Sequence, residues 1–430
     1  MKTSLRLAGL TLISTTAIAG IGAIAACSST SSTANADGGT PTKTTNPDAS
    51  MSTNPDGSMN NPTSGPITSC TTATLFAGDP TREHPDNGSE RPTDGTGILT
   101  DPPFQWGNLT YNGSTLYTRD TGEVWYVDTS AAAPVEKHLL GSNGGNQIDI
   151  TFGACTAARV GAIQGMVILK DGSIVATDAF ANDIIHIVSP TDPKNCKVES
   201  WAGTNASTSF TGTSYPNIGD VDGPVGTSKI EYPVSIAFDG NDTIYFFDSG
   251  KGKVKKLFVS DTTHAITSIG KLPGNEDISY GAVNIGSTIY MLGYDGTVTN
   301  VYKIVGTAIS KVAGGGTDAW PDLGTTPQIG GITTDGTNII TAGQGFMWLV
   351  NVTSGAITHI AGSGERVDLN ASGYDAKASH PALDVVLKPQ SSASAAAVGS
   401  PDYLAFKDGA VYYRGHGGGT ASYVEKVQCQ

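Results

Sequence analysis

The chain has 430 residues, of which 38% are hydrophobic and only 15% are charged, and 55 are glycine. The low charge and high glycine content exclude long charged helices and favour many short strands joined by turns. The formal net charge is −14, from 39 acidic and 25 basic residues. This balance excludes a nucleic-acid binder of the basic-patch class, because phosphate contacts need clustered Lys and Arg.

Segment 1–26 carries two basic residues, Lys2 and Arg6, near its start and continues as a long apolar run, which predicts a secretory signal peptide. A retained transmembrane helix is the alternative, since the run is long enough to span a bilayer. Ile24-Ala-Ala-Cys27 resembles the lipobox of bacterial lipoproteins. The resemblance implies that Cys27 is lipidated and becomes the new N-terminus.

Segment 27–69 follows the expected lipidation site and consists almost entirely of Ser, Thr, Asn, Pro, Asp and Gly. We predict a disordered tether, because such a segment buries too little apolar surface to offset chain entropy. Ser28 and Ser29 stand directly after Cys27, and the absence of Asp there resembles the outer-membrane sorting pattern. We therefore expect a lipid-anchored protein of the bacterial cell envelope, at the outer membrane.

From Cys70 to the C-terminus the sequence repeats one unit six times. Each unit starts with a short apolar strand that usually ends in Asn-Gly or Asp-Gly, residues that suit hairpin turns because they tolerate positive φ. A second, a third and usually a fourth apolar strand follow. The first strands and their turns are 107–113, 165–172, 233–240, 281–287, 330–336 and 402–409.

Six four-stranded units predict an all-β fold, a six-bladed β-propeller of antiparallel blades, with a β-sandwich as the alternative. The last unit stops after its third strand, whereas an unmatched fourth strand, 72–78, precedes the first unit. We expect this N-terminal strand to complete the C-terminal blade and close the ring, which removes free sheet edges. The propeller domain is accordingly predicted over 70–430.

The third unit carries a family resemblance. Trp201-Ala-Gly203 is followed by a Gly-rich stretch with Asp-Gly, then Tyr-Pro and an inner strand, then a second strand ending in Asp248. This order resembles an NHL repeat, and Asp120 and Asp178 stand where Asp248 does. We expect these carboxylates to accept hydrogen bonds from turn amides. The resemblance implies a six-bladed propeller, but its relatives include scaffolds, ligand binders and a few enzymes, so it leaves the function open.

Five cysteines are present. With Cys27 assigned to lipid, four remain, an even number for an exported protein, and four cysteines allow three pairings. Cys70 and Cys429 lie on strands that are neighbours in the closed blade, so we predict a disulfide between them. Cys155 and Cys196 then pair by exclusion. Metal binding is the alternative, but these cysteines lack C-x-x-C spacing.

Five connections between blades are longer than a propeller needs, and they share one face with the turns between second and third strands. We call this the long-loop face and expect ligand binding there. The long connections are 79–103, 142–163, 204–231, 315–328 and 363–400. The candidate binding residues on this face are Arg91, Arg119, Arg366, Arg414, Trp106 and Trp320.

Two groups of residues indicate a divalent metal, the only cofactor suggested by the sequence. Asp220-x-Asp222-Gly offers clustered carboxylates of the kind Ca²⁺ prefers, although it equally fits the inter-blade turn of the NHL pattern. His84, His380 and His416 map to the long-loop face near the junction of the first and last blades. Three imidazoles there would hold Zn²⁺ with an open position; scattered loop histidines are the alternative.

The chain lacks a nucleophile elbow, a phosphate loop and a zinc-protease helix. Lactonase-like relatives within the resemblance need a Glu/Asn/Asp metal site, whereas the predicted inner strands contain Asn108 and Asn284 but no Glu. We expect a membrane-anchored module that binds a protein or carbohydrate ligand without catalysis. The alternatives are a metal-dependent hydrolase or lyase on the same face, and a purely structural envelope protein.

Overall fold

The computed structural model describes the greater part of the predicted propeller. The described residues are 65–78, 109–120, 122–131, 136–141, 150–203, 218–276, 278–315, 320–321, 329–364, 375, 378–387, 403–416 and 422–430. These residues belong to the unit Ser52–Gln430. The predicted leader, Cys27 and most of the predicted tether lie outside them.

The described strands form six antiparallel sheets, and these are the blades of a six-bladed β-propeller. In chain order the strands are β1 (Cys70–Gly78); β2 (Leu109–Asn112), β3 (Thr115–Asp120), β4 (Glu123–Asp128) and β5 (Glu136–Leu140) of blade I; and β6 (Gly153–Ala154), β7 (Ile163–Ile168), β8 (Ile174–Asp178), β9 (Asp183–Val188) and β10 (Lys197–Ala202) of blade II. Blade III has β11 (Pro233–Phe238), β12 (Thr243–Asp248), β13 (Lys253–Phe258) and β14 (Thr267–Lys271), and blade IV has β15 (Ile278–Ile285), β16 (Thr288–Tyr294), β17 (Thr299–Val305) and β18 (Ala308–Gly314). Blade V has β19 (Gly331–Thr334), β20 (Ile339–Gly343), β21 (Phe346–Val350) and β22 (Ile357–Ala361), followed by β23 (His380–Pro381), β24 (Tyr403–Lys407), β25 (Ala410–His416) and β26 (Ser422–Cys429) of blade VI.

Helical structure among the described residues is confined to two single 3-10 turns, Ser249–Lys251 and Ala382–Asp384. In this part of the chain no helix has the length and apolar character needed to cross a bilayer. The hairpin turns follow the sequence pattern. Asp408 and Gly409, for example, both have positive φ, 50° and 73°, which is the geometry that favours Asp-Gly in a two-residue turn.

The core consists of the layers between blades. Each of the six hydrophobic clusters in the described residues lies between two neighbouring blades; the one between blades II and III contains Trp201, Ile236 and Phe246. Successive side chains of a strand point to opposite faces of its sheet. Because β12 is buried at every position, blade III packs on both sides. Each blade therefore depends on both of its neighbours.

Blade VI is built from both ends of the described chain, which confirms the predicted ring closure. β1 pairs antiparallel with β26, from Cys70 opposite Cys429 to Gly78 opposite Tyr423. The disulfide Cys70–Cys429 joins these strands across 359 residues of sequence, as predicted. Without β1, β26 would present an unpaired edge.

The ordered body starts before the predicted boundary at Ser69. Ile67 is buried in the cluster between blades V and VI. Its N–H donates to Asp335 Oδ2 at 3.0 Å, and the N–H of Thr68 donates to the Gln430 carbonyl oxygen at 2.8 Å. The polar composition of segment 27–69 does not predict this contact. One apolar side chain, Ile67, and one buried acceptor, Asp335, are enough to hold the chain against the propeller.

Two inter-blade loops contribute a fifth strand that the repeat pattern does not show. β6 pairs with β10, and β23 pairs with β1, where Ala73 lies opposite His380. Each therefore covers the outer edge of a blade. The disulfide Cys155–Cys196, predicted by exclusion, ties the loop that contains β6 to blade II.

The first prediction concerns ring closure. Deleting residues 1–78 should sharply lower the melting temperature or abolish soluble protein, because β26 loses its partner and the chain loses a disulfide worth roughly 5 kcal/mol in the loop-entropy model. A chain starting at Gly65 keeps Ile67 and β1 and is the matched control. Thermal unfolding followed by circular dichroism compares the two. Equal melting temperatures would show that the ring closes without β1.

Candidate functional site

The long-loop face is the end of the propeller at which inner strands begin and second strands end. Side chains at those strand ends surround the mouth of the central channel. The described residues place polar groups there on several successive blades. These groups contact one another across the blade junctions, so the mouth is a polar, fixed surface.

The contacts begin between blades I and II. Arg119, at the end of β3, donates from Nη2 to Gln164 Oε1 on β7 at 3.0 Å. Between blades II and III the hydroxyl of Thr177 donates to the Val234 carbonyl oxygen at 2.7 Å. Arg119 is buried, whereas Gln164 is half-buried. The buried guanidinium therefore orients an amide that solvent can reach.

The same arrangement continues around the ring. The hydroxyls of Ser235 on β11 and Ser279 on β15 lie 2.8 Å apart. In blade VI, Arg414 occupies the place that Arg119 has in blade I, since each lies opposite the first valine of the third strand, Val424 or Val124. Arg414 is also buried. Two adjacent blades thus carry a buried arginine near the mouth.

Two aspartates at the ends of second strands fix the loops that enter their own blades. Asp178 accepts a hydrogen bond from the N–H of Gly161 at 2.6 Å, and Asp248 accepts one from the N–H of Glu231 at 2.8 Å. The prediction that these carboxylates bond backbone amides is confirmed for both. The side chain of Asp120, at the same place in blade I, lies outside the described residues.

The pair suggested as Ca²⁺ ligands belongs to a charged cluster around a lysine. The side chain of Lys255 is fully buried, and its Nζ lies 2.8 Å from Asp220 Oδ1, 3.3 Å from Asp222 Oδ1 and 3.6 Å from Asp248 Oδ2. Lys253 also donates to Asp220. The two carboxylates therefore neutralise ammonium groups. Across the described residues, no three His, Cys, Asp or Glu side chains are grouped to hold a metal ion.

Burial and neighbouring charges have opposing effects on the pKa values in the cluster around Lys255. Hydrogen bonds from Lys253 and Lys255 lower the pKa of Asp220 to about 2. Burial raises the pKa of Asp248 to about 6, against the opposite effect of the Glu231 N–H and the Lys255 ammonium. Burial alone would lower the pKa of Lys255, but its acidic neighbours, Asp220 first, raise it. The loop that enters blade III is therefore fastened by charge as well as by backbone bonds.

An aromatic pair lies at the junction of blades II and III, and the sequence analysis did not identify it. Tyr232 immediately precedes β11 and is 41% exposed, and its ring centroid lies 6.2 Å from that of Phe180. Its φ is +55°, a left-handed value that is unusual for a bulky residue. The N–H of Tyr232 donates to Asn182 Oδ1 at 2.8 Å. The Tyr-Pro dipeptide before the inner strand was the sequence feature that could have pointed to this pair.

The remaining candidates lie in different places. Trp320 is buried rather than exposed: its indole N–H donates to the Thr299 carbonyl oxygen at 3.1 Å, and its ring lies 5.6 Å from that of Trp348. Trp320 fills the layer between blades IV and V, so this loop tryptophan belongs to the core. His380 lies in β23 with Nε2 at 2.7 Å from the Asp375 carbonyl oxygen.

The three-histidine metal site stays a prediction. The backbone of His416 ends β25, but its side chain lies outside the described residues, as does all of His84. The other candidates outside the described residues are Cys27, Arg91, Trp106 and Arg366.

Glu425 is a buried acid that the sequence analysis missed. It lies on β26 between Leu75 and Tyr413, at the position that Lys255 has in blade III. Only 2% of the residue is exposed, Oε2 has no hydrogen-bond partner, and burial raises the pKa of Glu425 to about 8. The pattern Val-Glu-Lys-Val reads as an ordinary half-exposed strand, which is why the burial was not foreseen.

Comparisons with known proteins reveal similarity at the level of the fold. No family model and no curated protein sequence matches the chain. An auxiliary nutrient binding protein from Bacteroides ovatus is 11% identical with a TM-score of 0.53, covering 84% of this chain and 78% of that one. A second, from Bacteroides thetaiotaomicron, is 11% identical with a TM-score of 0.50, covering 84% and 77%. Virginiamycin B lyase from Staphylococcus aureus is 10% identical with a TM-score of 0.43, covering 77% and 83%.

The second prediction concerns Glu425. The folded protein holds the proton up to about pH 8, whereas the unfolded chain releases it near an ordinary 4.5. Stability should therefore fall as pH rises between these values, by about 1.4 kcal/mol per pH unit. Glutamine cannot ionise, so Glu425→Gln lacks this loss of stability. The melting temperature of Glu425→Gln minus that of the unaltered protein should therefore be larger at pH 8 than at pH 4.

Asp384→Asn is the control, since Asp384 is an exposed carboxylate in the single helical turn Ala382–Asp384. Its melting temperature should show no comparable change with pH. A Glu425→Gln difference that is the same at pH 4 and pH 8 would contradict the buried, protonated carboxyl.

Proposed function

We propose that this chain is a lipid-anchored protein of the bacterial cell envelope, built of NHL-like blades, that binds a soluble ligand at the channel mouth on its long-loop face. The observation that carries the proposal is the contact of Arg119 with Gln164. A buried cation orients a half-buried amide at the start of an inner strand. A concave site with a few fixed polar groups is the usual form of a small-molecule site.

The buried arginines at this face favour a binding role over a purely structural one. Burying a guanidinium is costly even when it is paired, because apolar residues of similar volume often pack such a junction at least as well. Yet blades I and VI each bury an arginine, Arg119 and Arg414, beside the channel mouth. Keeping two such groups at one end of the ring favours a surface selected for recognition.

Other support comes from the sequence and from the fold comparisons. The leader, the lipobox at Cys27 and the polar segment after it favour an anchored protein held away from the membrane by a tether. Two propellers with the same fold are described as auxiliary nutrient binding proteins. That description favours a binding module over a purely structural role for this chain.

The third prediction tests ligand binding by thermal shift. The chain starting at Gly65 is screened against neutral sugars, amino acids and carboxylates, and one class should raise the melting temperature with concentration. Gln164→Leu should weaken that ligand at least tenfold. Asn112→Leu is the matched control, because Asn112 Nδ2 contacts the Gly172 carbonyl oxygen between the same two blades at the opposite face.

Two results would overturn the proposal. The binding role fails if no class shifts the melting temperature, or if Gln164→Leu leaves the affinity unchanged. In the host, Cys27→Ser should abolish incorporation of labelled palmitate. Incorporation that persists in that variant would remove the lipid anchor from the proposal while leaving the binding role in place.

A further inference from the structure

We propose that Phe180 and Tyr232 form a stacking platform for a saccharide, which rests on the proposed function and names its ligand class. The two rings lie 6.2 Å apart with their planes at 49°, and 41% of Tyr232 is exposed. The face of an aromatic ring is negative, and the C–H groups on one face of a pyranose are weakly positive and apolar. A sugar ring therefore suits such a platform, while its hydroxyls need polar neighbours.

The backbone conformation at Tyr232 favours a functional role for its ring. Its φ of +55° is a conformation that glycine adopts without strain and that a bulky side chain rarely adopts. Blade II has Ala162 at the corresponding place, directly before its inner strand, so the fold does not require a large side chain there. Strain of this kind concentrates at functional sites.

Hydrogen bonds on both sides of Tyr232 maintain this conformation. Its N–H donates to Asn182 Oδ1 at 2.8 Å, and its carbonyl oxygen accepts from the N–H of Ser249 at 3.2 Å. Asn182 is itself buried and has a φ of +54°. The ring is thus presented by a rigid loop, which reduces the entropy that binding must overcome.

Polar groups flank the platform. Glu231, the neighbour of Tyr232, forms an ion pair with Lys251, and about a third of each side chain is exposed, 30% and 29%. A carboxylate and an ammonium together offer both an acceptor and a donor, which is what sugar hydroxyls require.

The size of the platform favours a sugar over a protein partner. A stable protein interface buries about 800 Å² on each partner around an apolar centre, far more than two aromatic rings provide. The pair is therefore too small to form the centre of a stable protein interface, and it suits a small ligand.

The fourth prediction uses neutral hexasaccharides of glucose, xylose and mannose as probes in isothermal titration calorimetry. At least one should bind, and Tyr232→Ala and Phe180→Ala should each weaken it tenfold or more, while Tyr232→Phe stays within about threefold because the ring is kept. Phe258→Ala is the matched control, since Phe258 is 40% exposed but ends β13 at the opposite face. Its affinity should be unchanged.

Tyr232→Gly separates binding from folding. Glycine relieves the left-handed strain, so this variant should melt no lower than the unaltered protein and yet lose the saccharide. A hexasaccharide that binds Tyr232→Ala as tightly as the unaltered protein would overturn the platform. If the thermal-shift screen instead finds a non-saccharide ligand that depends on Gln164, the proposed function stands and this inference is wrong. If neither experiment finds a ligand, both fail.

Discussion

Each blade of this protein must bury both of its faces, and a closed ring is the arrangement that satisfies this for all six. The described core contains one apolar cluster at each blade junction. A ring left open would expose two apolar faces and the edge of β26. The pairing of β1 with β26 is therefore the interaction on which the other junctions depend. The Cys70–Cys429 disulfide reinforces it at the point where the chain ends meet.

Closure also explains how a face made of long loops becomes a defined surface. The described parts of the loops that enter blades II and III are fastened to rigid strand ends, by Asp178 and Asp248 through backbone amides and by Lys255 through carboxylates. Once these loops are fixed, side chains such as Tyr232 can hold one orientation. The polar contacts at the channel mouth then have a prepared geometry, which is how rigid scaffolds usually support binding sites.

Much of the fold could be predicted because its signals are periodic. Six repeats with Gly-containing hairpin turns predicted the blade count, and the unmatched strand before the first repeat predicted the closure and the Cys70–Cys429 disulfide. The Cys155–Cys196 disulfide was predicted by exclusion. The exceptions depend on single contacts. Ile67 joins the core from a polar segment, β6 and β23 pair at blade edges, and Trp320 fills a layer from within a loop. Local composition does not encode such long-range contacts.

The site was less predictable for the same reason. Asp220 and Asp222 carry the spacing of Ca²⁺ ligands, but their role is set by Lys255, which lies on a strand more than thirty residues away. The sequence identified Arg119 as a candidate binding residue. Its partner Gln164 and the exposure of Tyr232 could not be predicted, because they depend on how neighbouring blades pack together. Glu425 is buried by its blade junction, and no pattern in its own strand distinguishes it.

Native-state hydrogen exchange measured by mass spectrometry tests the central claim most directly. If closure by β1 holds the ring together, amides of Cys70–Gly78 should exchange as slowly as those of the buried strand Thr243–Asp248, through global unfolding only. Reduction of the disulfides should speed exchange in β1, β26 and the adjoining blades together. Fast, local exchange of β1 in the oxidised protein, with the remaining blades still protected, would contradict the account.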